Sequence, residues 1–221
     1  MSLPLIAVWL GPPEPRAHWR RRNGPNDQRA LAGKNSVTAY DEDGAKAQAL
    51  ASELSAAVTG DTRDAIAASD VVVIATPYAG SLDVSRRLGP SLEAKIVVDI
   101  SNPLNDTHTG LVTTPDTSAA EEIRKLLPPS IKLVKAYNTT FAGTLVAEQV
   151  AGQTLDVFLA GDDEAAKATV TEFVKAGGLN AVDVGSLDRA RQLEALGGRY
   201  QLQFRLNTDF GTAWKLVLPT T

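Results

Sequence analysis

Apolar and polar positions follow two different periods along most of the chain. From about residue 36 onward, short apolar runs rich in Val and Ile alternate with Ala-rich stretches in which apolar residues recur at helical spacing. This alternation is typical of βαβ units around a parallel sheet, and the nearly continuous apolarity of the runs suits strands covered on both faces. The pattern predicts an α/β protein with a doubly wound, mostly parallel sheet.

The same pattern gives the bounds of the expected elements. The predicted strands span residues 5–10, 37–40, 71–75, 96–100, 132–136, 157–160 and 181–184. The predicted helices span residues 43–55, 62–68, 81–88, 118–127, 144–150 and 163–176, with a last helix within 187–218. Asp162 or Asp163 can cap the helix over 163–176, and Gly177-Gly178 suits its end. The last helix carries an apolar stripe, which indicates packing on the sheet or on another subunit, or a lid over a cofactor.

The first 34 residues differ from the rest of the chain. They hold six basic residues against two acidic ones, a net charge of +4, and five of the 12 prolines. Two explanations are open. The segment is either a genuine variant with an altered ligand site, or the product of a reading-frame error in the gene sequence.

Composition excludes several classes of chemistry. The 221 residues contain no Cys and two His, so thiolate catalysis, iron–sulfur clusters and multi-His metal sites are not expected. No apolar run reaches the ~20 residues of a membrane span, and the start lacks the order of a signal peptide. A net charge of −4 argues against nucleic-acid binding. We therefore expect a soluble cytoplasmic protein without a metal and without a membrane or nucleic-acid partner.

Candidate ligand-binding residues follow the central predicted strands. In an open parallel sheet, ligands bind beyond the carboxyl ends of the strands, near the switch in strand order. The residues at these places combine rigid turns with neutral groups that can orient an amide, a ribose or a carbonyl. They are Thr76, Pro77 and Tyr78, then Ser101, Asn102 and Pro103, then Asn138 and Thr139.

Several segments in order resemble one known family. They read DVVVIATPY at 70–78, KIVVDISNPL at 95–104, KAYNT at 135–139, VFLAGDD at 157–163 and GTAWKL at 211–216. Over about residues 36–218 the chain resembles the NADP oxidoreductases that reduce or oxidise the deazaflavin coenzyme F420. The resemblance implies a Rossmann-like domain over residues 1–150, with 1–34 atypical, and a small C-terminal α/β portion over 151–221 that completes the cleft.

The resemblance also implies roles for the strand-end residues. Pro77 and Tyr78 would lie beside the nicotinamide, with Asn102 and Pro103 lining its ribose. Asn138 with Thr139 would face the second substrate, a small redox molecule. Because the two redox rings carry the chemistry, no catalytic side chain is expected, and the protein aligns the rings and excludes water.

The first turn departs from the family's G-x-G-x-x-G pattern. The chain reads Gly11-Pro12-Pro13-Glu14-Pro15 there, which removes amide donors and adds a negative charge where a pyrophosphate would bind. The basic run of residues 20–22 is interpreted as a solvated surface. Cofactor choice is open as well. Asp41 would favour NAD(H) by accepting from the ribose 2′-OH, or it caps a helix, whereas the resemblance implies NADP(H).

The prediction is thus an NAD(P)H-linked oxidoreductase with F420 or a flavin-like acceptor, in which Asp41, Thr76, Pro77, Tyr78, Asn102 and Pro103 bind the cofactor. One alternative is an imine reductase resembling pyrroline-5-carboxylate reductase, although those enzymes add a longer helical dimerisation domain. A second alternative is a non-catalytic nucleotide-binding or sensor module.

The apolar C-terminal helix makes a homodimer plausible. His108 lies in a polar loop. It is either an exposed residue without a special role or a proton donor to the acceptor.

Overall fold

The architecture was obtained as a computed structural model, which describes residues 4–9, 36–41, 45, 48, 57–58, 62–67, 69–198 and 200–219. The strands are β1 (Pro4–Trp9), β2 (Ser36–Asp41), β3 (Ala57–Val58), β4 (Val71–Ile74), β5 (Ile96–Asp99), β6 (Lys132–Lys135), β7 (Gln149–Val150), β8 (Gln153–Thr154), β9 (Asp156–Gly161) and β10 (Asn180–Asp183). The helices are α1 (Thr62–Ala67), α2 (Tyr78–Leu88), α3 (Ala119–Leu126), α4 (Ala142–Ala147), α5 (Glu164–Ala176), α6 (Ala190–Gly197) and α7 (Tyr200–Leu206), and two 3-10 turns span Gly89–Leu92 and Leu187–Arg189.

Within the described residues, eight strands form one sheet in the order β10-β9-β6-β5-β4-β1-β2-β3. Strands β1 to β6 pair in parallel with their neighbours, and β9 joins β6 in antiparallel orientation through Val134–Gly161 and Lys135–Ala160. The chain adds β2 and β3 on one side of β1 and then crosses to β4 on the other, so the switch in strand order falls between β1 and β4. The predicted α/β, Rossmann-like and mostly parallel sheet is confirmed.

The core consists of two apolar layers on opposite faces of the sheet. Val71 and Val73 of β4 contribute to one layer, and Val72 and Ile74 contribute to the other, as the two-residue period of a strand requires. All four residues are almost completely buried. This two-sided burial explains why the strands read as continuous apolar runs rather than as alternating ones.

Side-chain caps fix the starts of two helices. Ser118 accepts a hydrogen bond from the backbone N–H of Glu121 at the start of α3, and Asp163 accepts one from Ala166 at the start of α5. The predicted Asp cap is therefore Asp163 rather than Asp162. Past the end of α5, Gly178 has φ +78, the left-handed conformation expected of a glycine there.

Two predicted helices differ from the structure. The helix expected over 144–150 ends at Ala147, because the left-handed residues Glu148, Ala151 and Gly152 turn the chain into the β7–β8 hairpin. The helix expected within 187–218 is two short helices, α6 and α7, followed by an extended segment. The helix predicted over 43–55 lies outside the described residues except for positions 45 and 48, which are helical.

The segment after α7 is held against the start of β9. Lys215 Nζ lies 2.5 Å from Asp156 Oδ1, and the backbone N–H of Leu216 donates to Asp156 Oδ2 at 2.8 Å. Because β9 and β10 continue the same sheet, the predicted division at residue 150 stays a prediction. Among the helices that the structure describes, none is long and apolar enough to cross a membrane.

Candidate active site at the carboxyl ends of the central strands

Three loops meet at one edge of the sheet. Residues 75–80 follow β4, residues 100–104 follow β5 and residues 136–140 follow β6, and these three strands are parallel neighbours. The sheet therefore brings Thr76, Pro77 and Tyr78 beside Asn102 and Pro103, and these beside Asn138 and Thr139. Asp41 is the last residue of β2, in register with Trp9 at the end of β1, and so lies at the same edge.

The loop after β4 is rigid. Pro77 precedes the first turn of α2 with φ −57 and ψ 156, and its carbonyl accepts from the N–H of Ser81 at 2.9 Å. The hydroxyls of Thr76 and Ser81 lie 2.9 Å apart in a hydrogen bond, and both residues are buried. Thr76 is thus held from within the protein and contributes to the shape of the loop.

Tyr78 begins α2 and is half-buried at this edge. Burial raises the pKa of its phenol, and the negative charges of Glu122, Glu194 and Asp99 raise the pKa further. The phenol therefore keeps its proton at neutral pH and can donate a hydrogen bond. Its flat ring is a surface on which a planar ligand ring can stack.

Asn102 and Asn138 join the second and third loops. The Asn102 Nδ2 donates to the backbone carbonyl of Asn138 at 2.8 Å, and the Asn138 Nδ2 donates to Asn102 Oδ1 at 2.9 Å. The Asn138 Nδ2 also donates to the carbonyl of Leu193 in α6 at 2.9 Å. The buried amide of Asn138 thus links the ends of β5 and β6 to α6.

Ser101 and Asn138 each bury one polar atom that lacks a partner in the part of the chain that the structure describes. The two atoms are Asn138 Oδ1, an acceptor, and Ser101 Oγ, a donor and acceptor. A buried polar atom without a partner costs about 1–3 kcal/mol, so such atoms indicate a position where a ligand or water completes the hydrogen bonding. The two atoms therefore fit a polar ligand group at the edge formed by β5 and β6.

The loop after Pro103 is closed on itself. The carbonyl of Pro103 accepts from the N–H of Val112 at 2.7 Å, and Leu104 forms a bridge with Leu111. His108 lies in this loop with a left-handed backbone, φ 55. Its role as a proton donor stays a prediction.

Sequence reasoning did not find a buried group of charges behind these loops. Asp99, Lys135 and Glu194, called the buried ion cluster below, are each 0–1% exposed. The Lys135 Nζ lies 2.6 Å from Asp99 Oδ2, 3.0 Å from Glu194 Oε1 and 2.5 Å from the carbonyl of Ser101. The signal was present in the sequence, since Asp99 and Lys135 are charged residues at the ends of otherwise apolar strands.

Glu194 also fixes the start of α3. Its Oε2 accepts from the N–H of Ala119 at 2.8 Å, and its Oε1 accepts from the N–H of Ala120 at 3.2 Å. A carboxylate is favoured at this end of a helix, where backbone N–H groups have no partner within the helix. On the same face, Arg191 donates two hydrogen bonds to Glu121, at 2.9 and 2.6 Å.

Gly197 in α6 packs directly against the asparagine pair. A Cβ atom at this position would lie 2.3 Å from Asn102 Oδ1, which is far inside van der Waals contact. A side chain here would therefore push Asn102 away from Asn138.

We expect Gly197→Ala to lower the free energy of unfolding by about 1–3 kcal/mol, because Asn102 cannot yield without losing its hydrogen bonds. Urea denaturation measures the change. Gly198→Ala is the matched control, since a Cβ there meets its nearest atom at 3.4 Å. If the two variants have the same free energy of unfolding, the hydrogen bonds between Asn102 and Asn138 do not hold Asn102 in place.

An open cavity of about 400 Å³ lies between α4, the turn that follows it and the C-terminal segment. Its lining residues include Gly143, Thr144 and Ala147 of α4, together with Asp209, Phe210 and Gly211 of the C-terminal segment. Phe210 contacts Phe141 edge to face, with ring centroids 5.2 Å apart. The cavity thus combines one aromatic wall with exposed backbone.

Comparison with known proteins identifies relatives of the chain. Residues 23–103 match the family model described as NADP oxidoreductase, coenzyme F420-dependent. This segment contains the loop after β4 and residues 100–103 of the loop after β5, and its match begins within the compositionally distinct first 34 residues. The resemblance predicted from the sequence is therefore confirmed for this part of the chain.

Individual relatives agree with the family match. The F420-dependent NADP reductase of Methanocaldococcus jannaschii is 33% identical over 142 residues, which are 62% of each chain. A solved structure, described as that of a candidate F420-dependent NADP-reductase from Arthrobacter sp. FB24, has 27% identity and a TM-score of 0.75 and covers 96% of both chains. The match to the archaeal enzyme spans less than two thirds of that enzyme's length.

More distant structures share the fold. The pyrroline-5-carboxylate reductase of Coxiella burnetii has 15% identity and a TM-score of 0.61, with 95% of this chain and 68% of that chain covered. At this identity the likeness supports the Rossmann-like architecture alone.

Proposed function

We propose that this protein is an NADP(H)-linked oxidoreductase that transfers hydride between the nicotinamide and the deazaflavin F420. Three polar loops meet at the carboxyl ends of β4, β5 and β6, and Asn138 Oδ1 and Ser101 Oγ are buried there without partners among the described residues. This arrangement is the main support for the proposal. Relatives described as F420-dependent NADP reductases support it.

The residues present suit a nicotinamide nucleotide. Tyr78, a protonated phenol beside Pro77, offers a ring face and a donor to the nicotinamide. Asn102 and Pro103 line the ribose in this proposal, with the Ser101 hydroxyl as an additional hydrogen-bonding group. Asp41 lies at the same edge, at the end of β2, where the nucleotide's adenosine ribose binds in folds of this kind.

Asn138 and Thr139 are proposed to face the second substrate. The unpartnered Asn138 Oδ1 is an acceptor, which matches the ring N–H donor of a deazaflavin or flavin. The cavity between α4 and the C-terminal segment is large enough for part of such a ring system, and its Phe210 wall suits a planar ligand.

When both are bound, the nicotinamide and the acceptor ring would supply the redox chemistry, a hydride transfer that is balanced by one proton taken up from solvent when the acceptor is reduced. The chain's own part is to align the rings and to keep water away. The rigid loop at Pro77 and the Asn102–Asn138 pair provide this alignment without conformational adjustment. No side chain is required to act as a catalytic acid or base in the hydride transfer.

The experiment that tests the function compares nucleotides and acceptors. A ligand that binds only the native state raises the melting temperature, so we expect a saturable shift with NADPH that exceeds the shift with NADH. We then expect NADPH oxidation in the presence of F420, with slower or no turnover with riboflavin phosphate.

Other outcomes would favour other functions. Turnover with 1-pyrroline in place of F420 would favour an imine reductase. A thermal shift without turnover of any acceptor would favour a nucleotide-binding module without catalysis. No shift with either nucleotide would contradict the proposed function.

Assembly and location stay predictions. Phe204 and Leu206 of α7, and Val217 and Leu218 of the following segment, are more than half exposed. These apolar side chains support the homodimer expected from the sequence, and analytical ultracentrifugation tests it. A cytoplasmic location and the absence of a nucleic-acid partner also remain proposals.

A further inference from the structure

We propose that the buried ion cluster of Asp99, Lys135 and Glu194 selects the oxidised, cationic form of the nicotinamide nucleotide over the reduced form. The inference rests on the proposed function. It assigns these residues an electrostatic role at the cofactor site, and none of them touches the acceptor or the reacting atoms in this account.

The charge of the cluster follows from its hydrogen bonds. In the part of the chain that the structure describes, the hydrogen bonds to Asp99 and Glu194 come from N–H donors. The donors are Lys135, the backbone of Ser101 and the first residues of α3. Oxygens that face donors on both sides of a carboxyl group indicate the ionised form. Burial raises the pKa of Glu194, against the lowering effects of Lys135 and of the N–H of Ala119. With both carboxyl groups ionised beside the Lys135 ammonium, the cluster carries a net charge of −1, which the start of α3 compensates only in part.

The cluster lies directly behind the proposed cofactor residues. Ser101, next to Asn102 in the chain, accepts from Lys135 through its carbonyl and donates to Asp99 through its N–H. Leu193, next to Glu194, accepts from Asn138. Ser101 and Leu193 thus connect the cluster to the loops after β5 and β6.

The negative field reaches the loop after β4. The pKa of Tyr78 is raised first by burial and then by Glu122, Glu194 and Asp99, against a lowering effect of Arg86. Two of the three carboxylates named belong to the cluster. Since the oxidised nicotinamide ring carries a positive charge and the reduced ring carries none, a net negative field beside Tyr78 stabilises the oxidised form selectively.

The consequence is directional. Tighter binding of NADP⁺ than of NADPH lowers the reduction potential of the bound nucleotide and favours hydride donation from NADPH to the acceptor. The cluster is completely buried, so salt in the solvent screens its field less than that of a surface carboxylate.

The test measures the dissociation constants of NADP⁺ and NADPH, by calorimetry, for the wild-type protein and for Glu194→Gln. The glutamine keeps the size of the side chain and one acceptor oxygen but removes the net negative charge. We expect the ratio of the NADP⁺ constant to the NADPH constant to rise about threefold to tenfold. Asp99→Asn removes the same charge from the other side of Lys135 and is expected to change the ratio in the same direction.

Glu172→Gln is the matched control, because Glu172 is an exposed carboxylate paired with Lys175 on α5. For this variant, the ratio of the NADP⁺ to the NADPH dissociation constant is expected to equal that of the wild type. An unchanged ratio in both cluster variants, or equal weakening of both nucleotides, would overturn the inference and leave the proposed function intact. Failure of the wild type to bind either nucleotide would overturn the proposed function, and this inference with it.

Discussion

Lys135→Met is expected to lower the free energy of unfolding by about 3–5 kcal/mol, the largest effect that this structure predicts for a single substitution. The ammonium of Lys135 is the positive partner of both Asp99 and Glu194, and all three side chains are buried. Methionine fills a similar volume but leaves two carboxylates facing one another without a cation. Urea denaturation at neutral pH measures the change.

Lys132→Met provides the control for this prediction. Lys132 lies in the same strand and pairs with Asp163 at 3.1 Å, but its side chain is 44% exposed. A surface pair of this kind contributes about 0–1 kcal/mol, so the control should unfold close to the wild type. Because an unpaired buried carboxylate prefers its neutral form, the deficit of Lys135→Met should shrink as the pH falls. Similar free energies of unfolding for Lys135→Met and Lys132→Met would contradict the conclusion that Lys135 balances two buried carboxylates.

Asn138→Asp is expected to have the second largest effect. The aspartate has the shape of asparagine but no N–H donors, so Asn102 Oδ1 and the carbonyl of Leu193 would face a carboxylate oxygen instead of a donor. We expect a loss of about 2–4 kcal/mol in the free energy of unfolding, from one buried and one half-buried acceptor left without donors and one added charge near the buried ion cluster.

The same substitution is expected to weaken acceptor binding at least tenfold, about 1.4 kcal/mol, because the variant loses the two Nδ2 hydrogen bonds, to Asn102 and to Leu193, that hold Asn138 Oδ1 in position for the acceptor ring. Denaturation and the KM for F420 measure the two effects separately. Asn105→Asp, in the exposed loop after β5, is the control and should change neither quantity appreciably. A normal KM for the Asn138 variant would remove Asn138 from the proposed acceptor site.

The sheet could be predicted from the sequence because its strands are buried on both faces. Runs such as Val71–Ile74 have few alternatives to a central strand, and caps such as Asp163 mark helix starts by chemistry that is local in sequence. The hairpin of β7 and β8 was missed, since its turn depends on left-handed residues other than glycine, Glu148 and Ala151, which a sequence pattern does not reveal.

The candidate site was predictable only in part. The strand-end position of Asn102 and Asn138 follows from topology, which the sequence indicates. Their mutual hydrogen bonds and the contact with Leu193 join residues 36 and 55 positions apart, and such pairs carry no local signal. The same is true of Glu194, whose carboxylate reaches α3 across 75 positions. Long-range polar contacts are therefore what the structure adds to the sequence.

In the proposed complex, a nicotinamide nucleotide binds where the loops after β4, β5 and β6 meet. Hydrogen–deuterium exchange with and without NADPH locates the bound nucleotide along the chain. We predict slower exchange in peptides that contain residues 75–80, 100–104 and 136–140, with little change in β10, the strand at one end of the sheet. Protection confined to other parts of the chain, or none at saturating NADPH, would contradict the account.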